Sequence, residues 1–279
     1  MKHSVMIDET REILSEYKGQ TVGLVPTMGA LHEGHGALIQ AAKEACDIVV
    51  VSIFLNPLQF GPDEDFESYP KDLKGDLALC ESYGVDLVFA PSEKVMYPCE
   101  MEFNIGIKSM ANLLDGVKRP GHFEGVVTVV SKLFNIIQPA MAFFGEKDRQ
   151  QLMIIKRYVQ DFNVPVKIQD VPTKREESGL ARSSRNVNLT ATEYQEAPNI
   201  YQVLKMASLK IKDGETNVDK IQSLIKIHIE QNTSGSIDDL AIYRADNLGE
   251  LNEIDSDVII FIAVQFSKAR LIDNLYVSI

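Results

Sequence analysis

The sequence predicts an α/β fold with a doubly wound, Rossmann-like parallel sheet, followed by a smaller α+β domain. The first observation is that apolar runs of strand length alternate with helical patterns up to residue 171, as in repeated β-α-β units. The second is that polar segments rich in glycine and proline follow several runs, where open parallel sheets bind ligands. The third is a change of pattern near Pro172. We therefore place the domains at 1–172 and 173–279.

Each predicted element has a local reason in the sequence. The strands are short apolar runs that suit a buried sheet, and in the first domain they cover 21–28, 47–55, 86–91, 140–145 and 164–171. Helices are predicted where apolar residues recur at helical spacing, namely at 5–17, 32–46, 73–83, 121–137 and 150–161. The second domain is predicted to contain helices at about 191–211 and 217–232, followed by strands that include LAIYRA and DVIIFIAVQF.

Composition indicates a folded globular chain and argues against one class of partner. Of the 279 residues, 45% are apolar and 24% are charged, which is ordinary for a globular protein. The formal net charge of −12 argues against a nucleic-acid partner that is bound through a general basic field. A local cationic pocket is compatible with that charge.

The cysteines and the start of the chain indicate the compartment. Cys46, Cys80 and Cys99 are far apart and lack metal-ligand spacing, which indicates reduced thiols in a cytosolic protein. The first residues contain no continuous apolar region of a signal peptide. The longest apolar runs are far shorter than the roughly 20 residues of a membrane span. We expect a cytoplasmic protein with no membrane partner.

The segment PTMGALHEGH follows the first predicted strand and places two histidines at the start of a helix. His32 and His35 lie three positions apart, so their side chains face the same way. A helix N-terminus offers N–H groups and partial positive charge to a phosphate, and imidazoles can add hydrogen bonds. The segment resembles the His-Ile-Gly-His signature of nucleotidyltransferases and class I aminoacyl-tRNA synthetases. The alternatives are two surface histidines near a turn, or a zinc site, for which no nearby cluster supplies further ligands.

The segment NPLQFGPDEDFESYP follows the second predicted strand and carries a single amide of interest. Gln59 can both donate and accept hydrogen bonds, which suits a small polar acid as ligand. A glutamine in a loop without any function is the alternative. We expect the acids Asp63, Glu64 and Asp65 to form a solvated loop.

Two middle segments place further charged and amide groups near the expected cleft. Arg119 precedes an apolar helix that carries Lys132, and both residues are candidates for ligand binding. The alternative is an ordinary helix start with one snorkelling lysine. In FFGEKDRQQ, Lys147 follows a buried strand and can pair with phosphate, while Gln150 and Gln151 open the next helix. Their joint position at strand ends favours a ligand-binding function.

The segment GLARSSRN near the domain boundary combines hydroxyls with cations. Ser183, Ser184 and Arg185 are good phosphate ligands by type. The segment is similar to the Lys-Met-Ser-Lys-Ser loop that partners the two-histidine motif in the same superfamily. A flexible interdomain loop is the alternative.

Taken in order, the five segments resemble the pantothenate synthetase family over roughly residues 23–190. The resemblance implies ATP-dependent condensation of pantoate with β-alanine, through a pantoyl adenylate, to give pantothenate, AMP and pyrophosphate. It also implies Mg²⁺ as cofactor and a homodimer. Another nucleotidyltransferase, which keeps its nucleotide on the acceptor, and a nucleotide-binding regulator without catalysis are the rival functions. Of the three functions, only the condensation of pantoate with β-alanine releases AMP when an amine is added.

The resemblance also implies residue roles. His35 would be the general acid and His32 its neighbour at the phosphates, with Lys147 and Arg185 as further catalytic cations. The ATP site would comprise Met28, Gly29, Ala30, Leu31, His32, Glu33, Gly34, His35, Gly145, Glu146, Lys147, Asp148, Lys174, Arg182, Ser183, Ser184 and Arg185. Pantoate and β-alanine would be bound by Gln59 and Gln151, with support from Arg119 and Lys132. Asp76 lies where the family has an acid near magnesium, although Gly75 precedes it here.

Two residues depart from the family pattern in the segment that is expected to close over the nucleotide. Arg182 stands where an apolar residue is usual, and Lys174 where a small apolar residue is common. Both add positive charge. We hypothesise that they alter the affinity for ATP without changing the reaction.

Overall fold

The computed structural model describes residues 1–62, 64 and 66–279. Asp63 and Asp65, which were predicted to belong to a solvated loop, lie outside the described residues. The chain divides into two compact units, Met1–Pro172 and Thr173–Ile279. Within the part that is described, no helix is long and apolar enough to cross a membrane.

The first unit is built on a six-stranded sheet in which every pairing is parallel. Its strands are β1 (Lys2–Ser4), β2 (Val22–Thr27), β3 (Ile48–Ile53), β4 (Leu87–Phe89), β5 (Met141–Gly145) and β6 (Lys167–Val171). The order across the sheet is β1-β4-β3-β2-β5-β6. The chain therefore builds outward from β2 in one direction and then crosses back to β5, which confirms the predicted doubly wound fold. The edge strand β1 was not predicted, because three residues are too few to show a pattern.

Helices cover both faces of this sheet. They are α1 (Ile7–Ser15), α2 (Glu33–Ala45), α3 (Leu73–Ser82), α4 (Glu93–Met96), α5 (Asp115–Lys118), α6 (His122–Ile137) and α7 (Arg149–Asp161). Successive side chains of a strand point to opposite faces. Leu24 and Val50 accordingly pack in a core with α6 and α7, whereas Val25 and Val49 pack in a second core with α2 and α3. The strands read as continuous apolar runs because both faces are buried.

The second unit packs helices against a small antiparallel sheet. Its helices are α8 (Ala191–Glu196), α9 (Asn199–Lys212) and α10 (Val218–Asn232), and its strands are β7 (Ser236–Arg244), β8 (Val258–Gln265) and β9 (Arg270–Val277). The sheet order is β7-β8-β9. One core cluster joins apolar residues of α9 and α10, such as Leu204 and Ile225, to Ile260 and Ile262 of β8. The single helix predicted at 191–211 is wrong, since the chain breaks between α8 and α9 at Pro198, which has no N–H to continue the helix.

Helix α6 approaches the loop after β3 closely enough to exclude a side chain. That loop contains a short 3-10 helix, Pro57–Gln59. A Cβ atom added at Gly125 would lie 2.2 Å from the carbonyl oxygen of Leu58 and 2.7 Å from the nitrogen of Gln59. Only glycine therefore allows α6 to pack directly on the main chain that carries Gln59.

We predict that Gly125→Ala lowers the free energy of unfolding by about 1–3 kcal/mol, because the new methyl group forces α6 away from the loop. Urea denaturation checks this. Gly106→Ala is the matched control, since a Cβ there meets nothing within 4 Å, and it should stay within about 0.5 kcal/mol of wild type. Equal stability of the two variants would contradict the close approach.

Candidate active site

The loop after β2 turns sharply and is held by a buried carboxylate. Gly29 and Ala30 have positive φ values of 92° and 52°. Asp76 of α3 is only 4% exposed, and its two oxygens accept hydrogen bonds from the main-chain nitrogens of Ala30 at 3.0 Å and Leu31 at 2.6 Å. A buried carboxylate with two N–H donors fixes an otherwise unusual backbone path. The protein's own hydrogen bonds therefore fix the shape of this loop.

This geometry bears on the predicted magnesium role of Asp76. Burial raises the pKa of Asp76, while the N–H groups of Leu31 and Ala30 oppose that effect. Each oxygen already accepts a main-chain hydrogen bond. Among residues 1–62, 64 and 66–279, no group of three or more His, Cys, Asp or Glu side chains is arranged to hold a metal ion.

His32 and His35 cap the start of α2 reciprocally. Nδ1 of His32 accepts from the main-chain nitrogen of Gly34 at 3.0 Å, and Nδ1 of His35 accepts from the main-chain nitrogen of His32 at 3.2 Å. The two ring centroids lie 4.2 Å apart. Because Nδ1 is an acceptor in both neutral rings, the proton of each ring resides on Nε2. Two N–H donors thus stand side by side at a helix N-terminus, while the intervening Glu33 is exposed.

The protonation state of His35 follows from its surroundings. Burial is the main cause that lowers the pKa of His35 to about 3; repulsion from His32, if that ring is protonated, and from Lys147 acts in the same direction, and Asp148 opposes the shift. His35 is therefore neutral at neutral pH, with its proton on Nε2. Its predicted role as a general acid requires that bound phosphate first raises its pKa.

The segment after β5 places Lys147 close enough to His35 for the charge of Lys147 to lower the pKa of His35. A 3-10 helix, Glu146–Asp148, leads directly from Gly145 into α7. Nζ of Lys147 lies 3.7 Å from Oδ1 of Asp148, and Glu146 pairs with Arg149 at 3.2 Å. The side chain of Lys147 is 19% exposed, so its charge is poorly screened by water. The ends of β2 and β5 therefore supply one shared group of hydrogen-bond donors and cations.

The two glutamines at the start of α7 have different environments. Gln150 is buried, and its Nε2 donates to the carbonyl oxygens of Met110 at 2.9 Å and Leu113 at 2.8 Å. It therefore ties a loop to α7. Gln151 is half-buried at the next position. Of these two glutamines, only Gln151 carries a predicted substrate role.

A hydrogen-bond network links the loops after β2 and β3. Nε2 of Gln59 donates to Sδ of Met28 at 2.8 Å, and Oε1 of Gln59 accepts from Nδ2 of Asn56 at 3.2 Å. Asn56 is fully buried and also donates to the carbonyl oxygen of Gly125 at 3.0 Å. The amide of Gln59 is thus held in one orientation, beside the loop that leads to the two histidines.

Tyr97 extends this network towards Lys132. Its hydroxyl donates to Oδ1 of Asn56 at 2.8 Å, and Nζ of Lys132 lies 5.3 Å from the centre of its ring. Burial raises the pKa of Tyr97 to about 12, so the hydroxyl keeps its proton. The sequence patterns indicated neither Asn56 nor Tyr97 as a functional residue. Asn56 could have been found from its position directly before Pro57 at the end of a buried strand, whereas Tyr97 carries no comparable signal.

Arg119 forms an ion pair that the sequence analysis did not anticipate. Its Nε lies 3.0 Å from both carboxylate oxygens of Glu64, and its Nη2 donates to Glu64 as well. Burial alone would raise the pKa of Glu64, but the hydrogen bond and charge of Arg119 hold that pKa below its usual value. The expectation that Glu64 is a solvated loop residue is wrong, because only 21% of its side chain is exposed. The pair holds the guanidinium of Arg119 close to the main chain of Gln59, with Nη2 3.4 Å from the Gln59 carbonyl oxygen.

The predicted nucleotide-closing segment belongs to the second unit and begins with a small hairpin. Arg175 and Ala181 form an antiparallel bridge, and the main-chain nitrogen of Arg182 donates to the carbonyl oxygen of Lys174 at 2.9 Å. Arg175 donates to both oxygens of Asp273 at 2.7 and 2.8 Å. A bidentate, largely buried pair of this kind anchors the hairpin to β9.

The polar residues of that segment differ in how much they are engaged. Nη1 of Arg182 lies 3.3 Å from Oε1 of Glu176, so the additional positive charge at position 182 is partly neutralised within its own unit. Lys174 and Arg185 are exposed, and Ser183 and Ser184 are half-buried. Oγ of Ser183 accepts from the main-chain nitrogen of Arg185 at 3.3 Å and caps a 3-10 helix, Ser184–Asn188. The segment is therefore preformed on its own unit.

The lowered pKa of His35 predicts a measurable loss of stability in acid. The unfolded chain binds a proton at His35 near pH 6.5, whereas the folded chain does so only near pH 3, so stability falls as pH drops through this window. Between pH 6.5 and pH 5, the free energy of unfolding of the wild type should decrease by on the order of 1 kcal/mol more than that of His35→Gln. The difference is no larger because His35 is partly exposed. Urea denaturation at several pH values measures this. A comparison at pH 8 separates the effect of the substitution itself, and identical pH slopes for both proteins would contradict the assignment.

Known proteins share this sequence and architecture over nearly the whole chain. The sequence model of the family described as pantoate-β-alanine ligase matches residues 3–276. The pantothenate synthetase of Staphylococcus haemolyticus is 49% identical over 96% of both chains, and that of Geobacillus sp. is 45% identical over 98% of both chains.

Solved structures give the same result. The pantothenate synthetase of Thermus thermophilus is 41% identical and superposes with a TM-score of 0.94 over 100% of both chains. The pantoate-β-alanine ligase of Francisella tularensis, described as complexed with β-γ ATP and β-alanine, is 39% identical with a TM-score of 0.82, over 99% of this chain and 97% of that chain. The chain therefore belongs to the pantoate–β-alanine ligase family, whose activity is that of an ATP-dependent, AMP-forming ligase of pantothenate biosynthesis.

Proposed function

We propose that the residues gathered at the carboxyl ends of β2, β3 and β5 carry out the family reaction in two steps. The carboxylate of pantoate attacks the α-phosphorus of ATP, and pyrophosphate leaves. The neutral amine of β-alanine then attacks the acyl carbon of pantoyl adenylate, the nitrogen releases a proton, and AMP leaves with the electron pair of the broken C–O bond. The observation that carries this proposal is the reciprocally capped pair His32 and His35, which presents two Nε2–H donors at a helix N-terminus.

The first step requires that repulsion between two anions is offset locally. The chain carries a net charge of −12, so the field of the whole protein opposes the approach of ATP and pantoate. The N-terminus of α2, the donors of His32 and His35 and the charge of Lys147 act at short range against that field. Fixed donors cost no reorganisation as charge builds on the phosphates, which is why their prior capping matters.

On the nucleotide side, we assign the predicted residues as follows. The loop from Met28 to His35 and the segment from Gly145 to Asp148 contact ATP, with Lys147 on a phosphate. In the second unit, Lys174 and the segment Arg182–Arg185 close over the nucleotide, with Arg185 as a further cation. In this proposal residues 1–172 bind nucleotide and pantoate, and residues 173–279 act as the lid that excludes water from the adenylate.

On the pantoate side, Gln59 and Gln151 supply the amides. The amide of Gln59 is already oriented by Asn56 and Met28, so it can bind a hydroxyl or carboxylate without first losing rotamer freedom. In this proposal Gln59 also meets β-alanine. Lys132 and Arg119 act in support, since Lys132 stacks on Tyr97 and Arg119 is paired with Glu64.

In this proposal Mg²⁺ would arrive bound to ATP and would partly neutralise the charge of the phosphates. The described residues do not fit a protein-only cage, since none of their acidic and histidine groups cluster for a metal and both oxygens of Asp76 accept main-chain hydrogen bonds. Mg²⁺ commonly keeps several waters and binds mainly to substrate phosphates with one or two carboxylates. In our proposal, Asp76 therefore shapes the loop that meets the phosphates.

We infer a homodimer, which the family resemblance implies and sedimentation at micromolar concentration would test. We also infer a cytoplasmic location, which agrees with free thiols at Cys46, Cys80 and Cys99.

The direct test is pantoate-dependent exchange of labelled pyrophosphate into ATP. We predict exchange in the wild type, and AMP release only when β-alanine is also present. His35→Ala and Lys147→Ala should each lower the exchange rate about a hundredfold or more, since one transition-state phosphate contact contributes on the order of 3 kcal/mol. His35→Gln should recover part of this, because its amide places a donor near the position of Nε2.

Controls for this test lie on exposed surfaces of the same unit. His3→Ala and Lys18→Ala should retain the wild-type exchange rate, since both residues are exposed. Wild-type exchange in both His35→Ala and Lys147→Ala would remove the proposed roles. Exchange without pantoate would point to a different acceptor.

A further inference from the structure

His122 contacts the main chain of Gln59 from the start of α6. Its Nδ1 lies 2.7 Å from the carbonyl oxygen of Gln59, and its Nε2 lies 3.1 Å from Nη1 of Arg119. His122 is buried, with 8% of its surface exposed. The contact joins residues that are 63 positions apart in the chain, so it fixes the loop after β3 against α6.

The partners of His122 determine its tautomer. The guanidinium of Arg119 has only donors, so Nε2 of His122 must accept. Its proton is therefore on Nδ1, from which it donates to the carbonyl oxygen of Gln59. Burial and the charge of Arg119 lower the pKa of His122, which keeps the ring neutral. His122 thus has the opposite tautomer to His32 and His35.

Arg119 is itself held in place and assists the same carbonyl group. Its pair with Glu64 uses Nε and Nη2, and Nη2 also lies 3.4 Å from the carbonyl oxygen of Gln59. The order of contacts is therefore Glu64 to Arg119, Arg119 to His122, and His122 to Gln59. In this series, at least three-quarters of the surface of each side chain is buried.

The main chain and the side chain of Gln59 are thus fixed by separate contacts. His122 and Arg119 act on its carbonyl oxygen, while Asn56 and Met28 act on its amide. Gly125 adds the close approach of α6 to the preceding carbonyl group. A rotation of the main-chain peptide group of Gln59 would redirect its side-chain amide, because both are attached to the same Cα atom.

We propose that His122 is a neutral positioning residue that sets the amide of Gln59 for pantoate by donating from Nδ1 to the Gln59 carbonyl oxygen. The inference rests on the proposed pantoate role of Gln59. It predicts that loss of the Nδ1 donor weakens the binding of pantoate and leaves the binding of ATP unchanged, since the donors assigned to ATP belong to the loop after β2 and the segment after β5.

Three substitutions at His122 distinguish the contribution of Nδ1 from that of Nε2. His122→Asn can place an amide N–H near the position of Nδ1, His122→Gln can place an acceptor near the position of Nε2, and His122→Phe retains neither group. We expect His122→Gln and His122→Phe to raise the KM for pantoate about three- to tenfold, the effect of one lost hydrogen bond. His122→Asn should remain within about twofold of wild type, and the KM for ATP should be unchanged in all three variants.

Gln59→Ala, measured in parallel, distinguishes failure of this inference from failure of the proposed function. If Gln59→Ala raises the KM for pantoate and His122→Gln does not, the positioning role of His122 is overturned. If Gln59→Ala binds pantoate like the wild type, the proposed role of Gln59 is itself wrong. An equal rise of both KM values in His122→Gln would indicate a general structural role and would also overturn the inference. Should His122→Phe fail to fold, the two amide variants decide the matter.

Nitrogen-15 chemical shifts of the histidine rings give an independent readout in the intact wild-type protein. We expect the neutral ring of His122 to carry its proton on Nδ1, whereas the rings of His32 and His35 carry it on Nε2. A proton on Nε2 of neutral His122 would overturn the proposal, because that tautomer cannot donate to the carbonyl oxygen of Gln59.

Discussion

The parallel alignment of β2, β3 and β5 is the constraint on which the site depends. β2 pairs with β3 on one side and with β5 on the other, so the three strands end at the same edge. Segments far apart in sequence, carrying His35, Gln59 and Lys147, are thereby brought to that edge. Where the chain leaves a parallel strand its main-chain N–H groups lose their sheet partners, and each must be satisfied in another way. The buried carboxylate of Asp76 does so for Ala30 and Leu31.

The same requirement explains why intramolecular hydrogen bonds orient the polar groups of the site. His32 and His35 use Nδ1 to cap the helix, which leaves the proton on Nε2 of each ring. Nδ2 of Asn56 donates hydrogen bonds both to the carbonyl oxygen of Gly125 in α6 and to the side-chain oxygen of Gln59. Structural hydrogen bonds therefore select both the tautomers and the rotamers. An acidic protein can act on two anionic substrates in this way, because fixed short-range donors outweigh the distant net charge.

The sequence predicted the fold well because its signals are local. Continuous apolar runs such as 47–55 reveal strands that are buried on both faces, and the alternation with helices gives the parallel sheet. The exceptions are also physical. Pro198 divides a helix whose apolar periodicity looked continuous, and β1 is too short to show a period.

The side-chain network of the site was less predictable, because its contacts join residues that are distant in sequence. Glu64 looked solvated among its acidic neighbours, yet it pairs with Arg119, which is 55 positions away. Tyr97 lies outside every predicted element, and its role depends on a hydrogen bond to Asn56. Gln150 and Gln151 are adjacent and of the same type, but only the geometry of α7 shows that Gln150 binds main-chain carbonyl groups.

The most direct test of this account is a crystal structure of the protein with a non-hydrolysable ATP analogue and pantoate. The account predicts phosphate oxygens within hydrogen-bond distance of Nε2 of His32, Nε2 of His35 and Nζ of Lys147, with pantoate against the amide of Gln59. Phosphates bound away from both imidazoles, or pantoate bound away from the loop after β3, would contradict it.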